Sequence, residues 1–271
     1  MDCWVDGQPA DALSLKDRGL AYGDGLFETI AVRRGQPVLL DRHLARLADG
    51  CARLAIAADL ERVRQELLSY AAAMGEGVLK FILTRGDGLR GYAPDPAAPG
   101  RRILQGNPPA AYPVVHGEQG VRLFPCVTRL SNQPLLAGLK HLNRLEQVLA
   151  RAEWRDSEHA EGLMLDQAGR VIEGVFSNLF LVRDGVLITP DLKRCGVAGV
   201  MRAEILFQAE SLAIPTQITD ISLEQLQWAD EVFVCNSVYG VWPVRAYAAL
   251  SWPVGPLTRK LQTISRALLD A

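Results

Sequence analysis

Lys140 heads the segment GLKHLNRLEQVLAR (138–151), in which Leu139, Leu142, Leu145, Val148 and Leu149 recur at three- and four-residue steps. That spacing predicts an amphipathic helix with Lys140, Asn143, Arg144, Gln147 and Arg151 on its polar face. A lysine there is ordinarily a solvated charge. Desolvated among other cations, however, its amine becomes a base and a nucleophile. Glu173 lies in the apolar run RVIEGVFSNLF (170–180). Its carboxylate either caps a turn, pairs with an arginine, or points into a cleft to hold a protonated ring nitrogen. Ser177 and Asn178, four and five residues on, can order that neighbourhood by hydrogen bonding.

Anion-binding chemistry is suggested at CGVAGVMRAE (195–204), where Gly196 and Gly199 precede a predicted helix. The first amides of such a helix lack partners, and with the helix dipole they can hold a phosphate. CNSVYG (235–240) offers a second group of short donors through Asn236 and Ser237. Arg46, on a predicted first helix, has the guanidinium geometry that suits phosphate. GDGLRG (86–91) matches a dinucleotide fingerprint, but YAPDPAAPG follows, and its prolines exclude the helix that the fingerprint requires. This stretch reads instead as a flexible rim bearing Arg85, Arg90 and Tyr92. His43, His116, His141 and His159 show no ligand-like spacing, so no metal is expected, and no serine sits in a G-x-S-x-G elbow.

The elements that must position these groups are mixed. CWVDGQPA, LFETIAVRRGQPVLL and GVLKFILTR read as strands and hairpins. Asp41 is placed to cap a helix carrying Leu44, Leu47, Cys51 and Leu54, and a second helix is expected over 59–73. GNPPAAYPVVHG (106–117) has three prolines that interrupt any regular element. It is followed by a strand near 121–127, hairpin-like stretches at 162–174 and 177–190, a helix at 199–212, a strand at 230–237 and a closing helix at 257–270. Without steady βαβ alternation, this order implies an α+β protein of two lobes. They comprise an N-terminal domain (1–107), a linker (108–117) and a C-terminal domain (118–271).

With 271 residues and a formal net charge of −2, the chain has no electrostatic reason to bind nucleic acid or an anionic membrane. No run approaches the roughly 20 apolar residues of a membrane helix. No secretory signal is visible, and five scattered cysteines without a CxxC pair suit a reducing cytoplasm.

Six segments in this order resemble the fold-type IV pyridoxal-phosphate enzymes: DRGLAYGDGLFET (17–29), HLARL (43–47), LKHLNRLEQVLAR (139–151), VIEGVFSNLF (171–180), GVAGVMR (196–202) and VCNSVYGVWPV (234–244). The resemblance implies a two-lobed α+β fold and pyridoxal 5′-phosphate as cofactor. It implies that Lys140 forms the Schiff base with the cofactor and Glu173 holds the pyridine nitrogen, near Ser177 and Asn178. Arg46, the Gly199–Val200 amides and the Asn236–Ser237 region would grip the phosphate. Within the family, KHLNRLEQVLAR and TRGDGLRGY (84–92) resemble the aminodeoxychorismate lyase branch. Branched-chain aminotransferases usually carry Lys-x-x-Gly-Asn-Tyr at the lysine. D-amino acid aminotransferases tend to have histidine at Tyr92 and tyrosine at Phe27, and both kinds of transaminase stand as the alternative. The lyase branch implies elimination of pyruvate from 4-amino-4-deoxychorismate to give 4-aminobenzoate, with Arg90, Tyr92 and Thr29 meeting the substrate. It also implies a homodimer in which the 85–100 loop reaches the partner's cleft.

Overall fold

The computed structural model describes residues 3–270, which fold as two compact units. The first holds the chain through Ala110, with Leu139–Asn143 and the residues from Leu269 on. The second holds Ala111–Gly138 and Arg144–Leu268.

The first unit contains β1 (Trp4–Val5), β2 (Gln8–Pro9), α1 (Arg18–Tyr22), β3 (Gly25–Arg33), β4 (Gln36–Pro37), α2 (Leu40–Leu54), α3 (Leu60–Met74), β5 (Gly77–Thr84) and β6 (Arg101–Asn107). Among the described residues its strands form one antiparallel sheet in the order β2-β1-β6-β5-β3-β4. Leu44, Leu47 and Cys51 of α2 and Val63, Leu67, Tyr70 and Ala71 of α3 are buried, the helical spacing expected of a core-facing stripe. Asp41 is not the cap of α2. Leu39 takes that position in the left-handed region (φ 54°) with no side-chain cap bond, and Asp41 falls in the first turn, where its charge complements the helix dipole.

The second unit contains α4 (Val114–Gln119), β7 (Val121–Leu130), α5 (Leu145–Ala152), β8 (His159–Asp166), β9 (Val171–Gly174), β10 (Asn178–Arg183), β11 (Val186–Pro190), α6 (Val200–Ser211), β12 (Thr216–Thr219), α7 (Leu223–Gln227), β13 (Glu231–Asn236), β14 (Gly240–Tyr247), β15 (Leu250–Ser251) and most of α8 (Pro256–Asp270). The expected linker is thus shorter than drawn: α4 begins directly after Pro113, the last proline, whose fixed φ leads readily into a helix. The strands run β12-β11-β10-β13-β14-β7-β8-β9, with β15 on β14, and β9 also pairs with β10. The sheet therefore joins back on itself at a single register pair, Glu173↔Asn178.

Both faces of this sheet are covered. Leu163, Leu165, Leu179, Leu181, Val232 and Val234 fill one core, while Cys126, Met164, Ile172 and Cys195 belong to another. That accounts for continuous apolar runs such as NLFLV rather than strict alternation. The Asp184–Gly185 turn between β10 and β11 has both residues at positive φ (49° and 74°), matching the twist of the strands it joins.

Candidate active site

Lys140 does not lie on a helix. Helix α5 starts at Leu145, and the residues before it run along the free edge of β3. Leu26 bridges His141, the Phe27 amide donates to the Lys140 carbonyl (2.9 Å), and the Leu142 amide donates to Gly25 (3.0 Å). Leu139 is buried as an edge-strand residue would be, whereas Leu145, Val148 and Leu149 of α5 face solvent. The three- and four-residue spacing was therefore a coincidence of two different elements. The Lys140 amine sits 4.3 Å above the Phe27 ring centre, and Lys80 approaches the same ring at 5.6 Å. Thr29, two residues along β3, shares the Phe27 face and is in register with Lys80. Nothing in the sequence marks this placement of Lys80, which reads as one more lysine on an alternating strand.

On α2, Arg46 is held by buried Glu28. Its Nε donates to Glu28 Oε1 at 2.8 Å and its Nη2 to Oε2, while His43 Nδ1 lies 2.6 Å from Oε2. Burial alone would raise the Glu28 carboxyl, but Arg46 and His43 overcome it and hold it down at about 2. Burial lowers His43, assisted by the charges of Arg46 and Lys140 and opposed by Glu28. Arg46 is thus oriented by two side chains that the phosphate reading did not include.

In the second unit, buried Glu173 accepts the Val197 amide at 2.8 Å and faces the Asn178 amide group at 3.5 Å. Asn178 Nδ2 also donates to the Val197 carbonyl at 2.8 Å, so the pair grips the loop before α6. Gly138 exchanges backbone bonds with that same loop, through Gly196 and Ala198. Burial lowers the pKa of the Arg144 guanidinium, opposed by the charges of Glu173 and Glu146, so Arg144 is a cation within electrostatic reach of Glu173. Ser177 is committed elsewhere: its hydroxyl donates to Glu161 at 2.7 Å. Glu161 also accepts the amides of Gly162 (2.8 Å), Val175 (2.9 Å) and Phe176 (3.3 Å). Burial outweighs these donors and pushes its carboxyl up to about 7.

Helix α6 begins after Gly199, which provides no side-chain cap. A Cβ at Gly199 would lie 1.9 Å from Asn178 Oδ1, so only glycine admits this approach. The start of α6 thus presents uncapped amides beside Asn178, a donor set that fits a phosphate. Asn236 shapes the neighbouring strand end, with Oδ1 accepting the Val238 and Tyr239 amides and Nδ2 donating to Phe176 O. Ser237 is half-buried within that turn. Within the second unit, the uncapped start of α6 and the buried Glu173 carboxylate are of the kinds that suit the phosphate and the ring nitrogen of pyridoxal phosphate, and the Lys140 amine of the first unit is of the kind that binds its aldehyde.

The 85–100 stretch contains no helix, as its prolines dictate, but it is not a loose rim. Arg85 is buried, its Nε 2.8 Å from Asp24 and its Nη atoms on the Ala55 and Leu54 carbonyls. It is a structural residue and not a substrate contact. Arg90 and Tyr92 are exposed.

Two α+β units with an edge-bound lysine and a carboxylate at a sheet closure define a fold-type IV aminotransferase scaffold. Residues 25–247 match the Amino-transferase class IV family, and the chain belongs to that family. It is 40% identical over 265 residues to the aminodeoxychorismate lyase of Vibrio harveyi, covering 96% of this chain and 97% of that protein. The crystal structure of 4-amino-4-deoxychorismate lyase from Pseudomonas aeruginosa matches with a TM-score of 0.98 at 66% identity, over 99% of this chain and 100% of that one. Branched-chain amino acid aminotransferase of Escherichia coli matches with a TM-score of 0.87 at 25% identity, over 99% and 94%.

Proposed function

We propose that this protein is a pyridoxal 5′-phosphate-dependent lyase that converts 4-amino-4-deoxychorismate to 4-aminobenzoate and pyruvate. The observation that carries the reading is the Lys140 amine resting on the Phe27 ring, at the position where D-amino acid aminotransferases tend to have tyrosine. Lys140 is then the group that must move protons. The likeness to lyases over nearly the full chain supports the same choice.

In this reading Lys140 anchors the cofactor covalently, Glu173 holds its ring nitrogen, and Arg46, the Gly199–Val200 amides and the Asn236–Ser237 turn hold its phosphate. When bound, the cofactor supplies an electron sink that acidifies the C–H bond beside the substrate nitrogen. Displaced from the cofactor by the substrate's amine, Lys140 Nζ would be free to take that proton from the amine-bearing ring carbon. The C–O bond to the neighbouring enolpyruvyl group then breaks, the ring becomes aromatic, and protonated Lys140 returns its proton to the departing enolpyruvate, which leaves as pyruvate. Glu28 and His43 keep Arg46 in one orientation. Asn178 fixes Glu173 and the loop before α6 together. Thr29, Arg90 and Tyr92 are assigned to the substrate.

We place the enzyme in the cytoplasm as a homodimer. No helix among the described residues is long and apolar enough to cross a membrane. Helix α5 shows Leu145 (76% exposed), Val148 and Leu149 to solvent, and Leu135 and Val127 of the same unit are also exposed. So much exposed apolar surface suits burial against a second copy. The function is tested by offering the purified holoenzyme D-alanine or leucine with 2-oxoglutarate. The lyase reading expects amino-group transfer to be slower than turnover of aminodeoxychorismate by at least about a hundredfold, the leaving group being decisive. Comparable rates would favour a transaminase.

A further inference from the structure

The DRGLAYGD segment (17–24) has no task in the chemistry above, yet its side chains converge on the 85–100 loop. Arg18 is buried and uses three nitrogens. Nε pairs with Asp24 at 2.9 Å, Nη1 donates to the Gly91 carbonyl at 2.9 Å, and Nη2 donates to the Tyr92 carbonyl at 2.9 Å. Its guanidinium also lies 4.9 Å from the centre of the Tyr22 ring. Tyr22 Oη accepts the Gly91 amide at 3.3 Å, and its ring packs on Tyr92 at 5.4 Å between centres. A Cβ at Gly88 would come within 2.7 Å of Arg18 Cδ, so the loop passes the arginine stem where only glycine clears it.

The base beneath this clamp is fixed. Asp17 accepts the Thr84 hydroxyl at 2.8 Å and Arg101 Nη1 at 2.9 Å, and Asp24 is shared between Arg18 and Arg85. Loop and clamp are also stitched through the backbone, Arg18 N to Gly86 O and Gly88 N to Lys16 O. A loop drawn away from Arg18 would strip two carbonyl partners from a buried cation, which is costly. The carbonyls held are those of the two residues that follow Arg90.

We propose that Arg18 is the positioning residue of the substrate loop: by holding Gly91 and Tyr92 it sets where Arg90 presents its charge. This rests on the assignment of Arg90 to the substrate's carboxylates. Arg18 touches no substrate; it limits the conformations from which Arg90 must be recruited, so its loss is felt in substrate affinity and not in the chemical step.

The test uses the holoenzyme of Arg18→Lys, which keeps a charge for Asp24 but cannot fork to two carbonyls. Hydrogen exchange in peptides spanning 86–93 should rise about tenfold, the size expected from losing one well-made charged hydrogen bond. KM for aminodeoxychorismate should rise by a similar factor, with kcat and the cofactor's absorbance unchanged. Tyr22→Phe, which removes only the acceptor of the Gly91 amide, should move exchange and KM the same way by less, and it carries the test alone if Arg18→Lys does not fold. Wild-type exchange in the loop would overturn the proposal, as would a loosened loop with unchanged KM. Arg90→Ala in the same assay separates the two failures. A raised KM there confines the failure to Arg18, and an unchanged KM extends it to the reading of the loop as a substrate site.

Discussion

Lys140 owes its position to the backbone and not to a helix face, because its carbonyl is tied to the Phe27 amide whatever its side chain is. Lys140→Ala should therefore fold, with stability within about 1 kcal/mol of the parent, yet carry no covalent cofactor and show almost no turnover. Borohydride reduction followed by peptide mass spectrometry checks this, and a pyridoxyl group found on Lys80 instead would move the assignment. Glu28 yields a second expectation. Its carboxyl falls from an ordinary 4.5 to about 2 in the folded protein, which corresponds to roughly 3 kcal/mol. Because the folded-state value is depressed, that stability is fully present above pH 4.5 and is lost as the pH falls through 2. Denaturation midpoints between pH 2 and 5 should slope steeply for the wild type and less for Glu28→Gln; equal slopes would show that the buried pair does not govern acid stability.

At the scale of elements, the turn between β9 and β10 carries Glu173 at one end and Asn178 at the other, and Glu161 ties down its middle through the Val175 and Phe176 amides and the Ser177 hydroxyl. Burial raises the Glu161 carboxyl to about 7. The sign is opposite to that of Glu28: the folded chain keeps a proton that the unfolded chain releases above 4.5, so this group costs stability as the pH climbs from 4.5 to 7. Glu161→Gln should remove that fall, and a thermal-melt series over this interval reads it. The same turn shows what the sequence could and could not convey. Glu173, Asn178 and Gly199 were legible because their signals are local: a carboxylate in an apolar run, an amide five residues on, a glycine ahead of a helical pattern. The Asp-Gly hairpins were legible for the same reason. The Lys140 segment carries a helical spacing but is not helical before Leu145, because its hydrogen bonds go to β3, more than a hundred residues earlier, and pairing at a strand edge leaves no periodic mark. Arg18 and Glu161 leave no local signal because the partners that define them, Gly91 for Arg18 and the Val175 amide for Glu161, lie 73 and 14 residues away, and a single charge within a strand or short helix looks like a surface residue without them.

For the whole molecule, the proposed homodimer rests on the exposed apolar face of α5, and in that proposal the loop bearing Arg90 serves the partner's cleft. Lys140→Ala and Arg90→Ala, each nearly inactive below saturating substrate, should regain part of the wild-type rate when mixed and allowed to exchange subunits. Full activity from a species that light scattering shows to be monomeric would remove that arrangement. The central claim concerns the reaction itself, and product analysis tests it most directly. The purified holoenzyme is incubated with 4-amino-4-deoxychorismate, and 4-aminobenzoate, pyruvate and cofactor form are quantified together. Equal amounts of 4-aminobenzoate and pyruvate, with the cofactor remaining in its aldehyde form throughout, are expected. Accumulation of the aminated cofactor with a keto product, and no 4-aminobenzoate, would contradict the lyase and assign this chain to the transaminases.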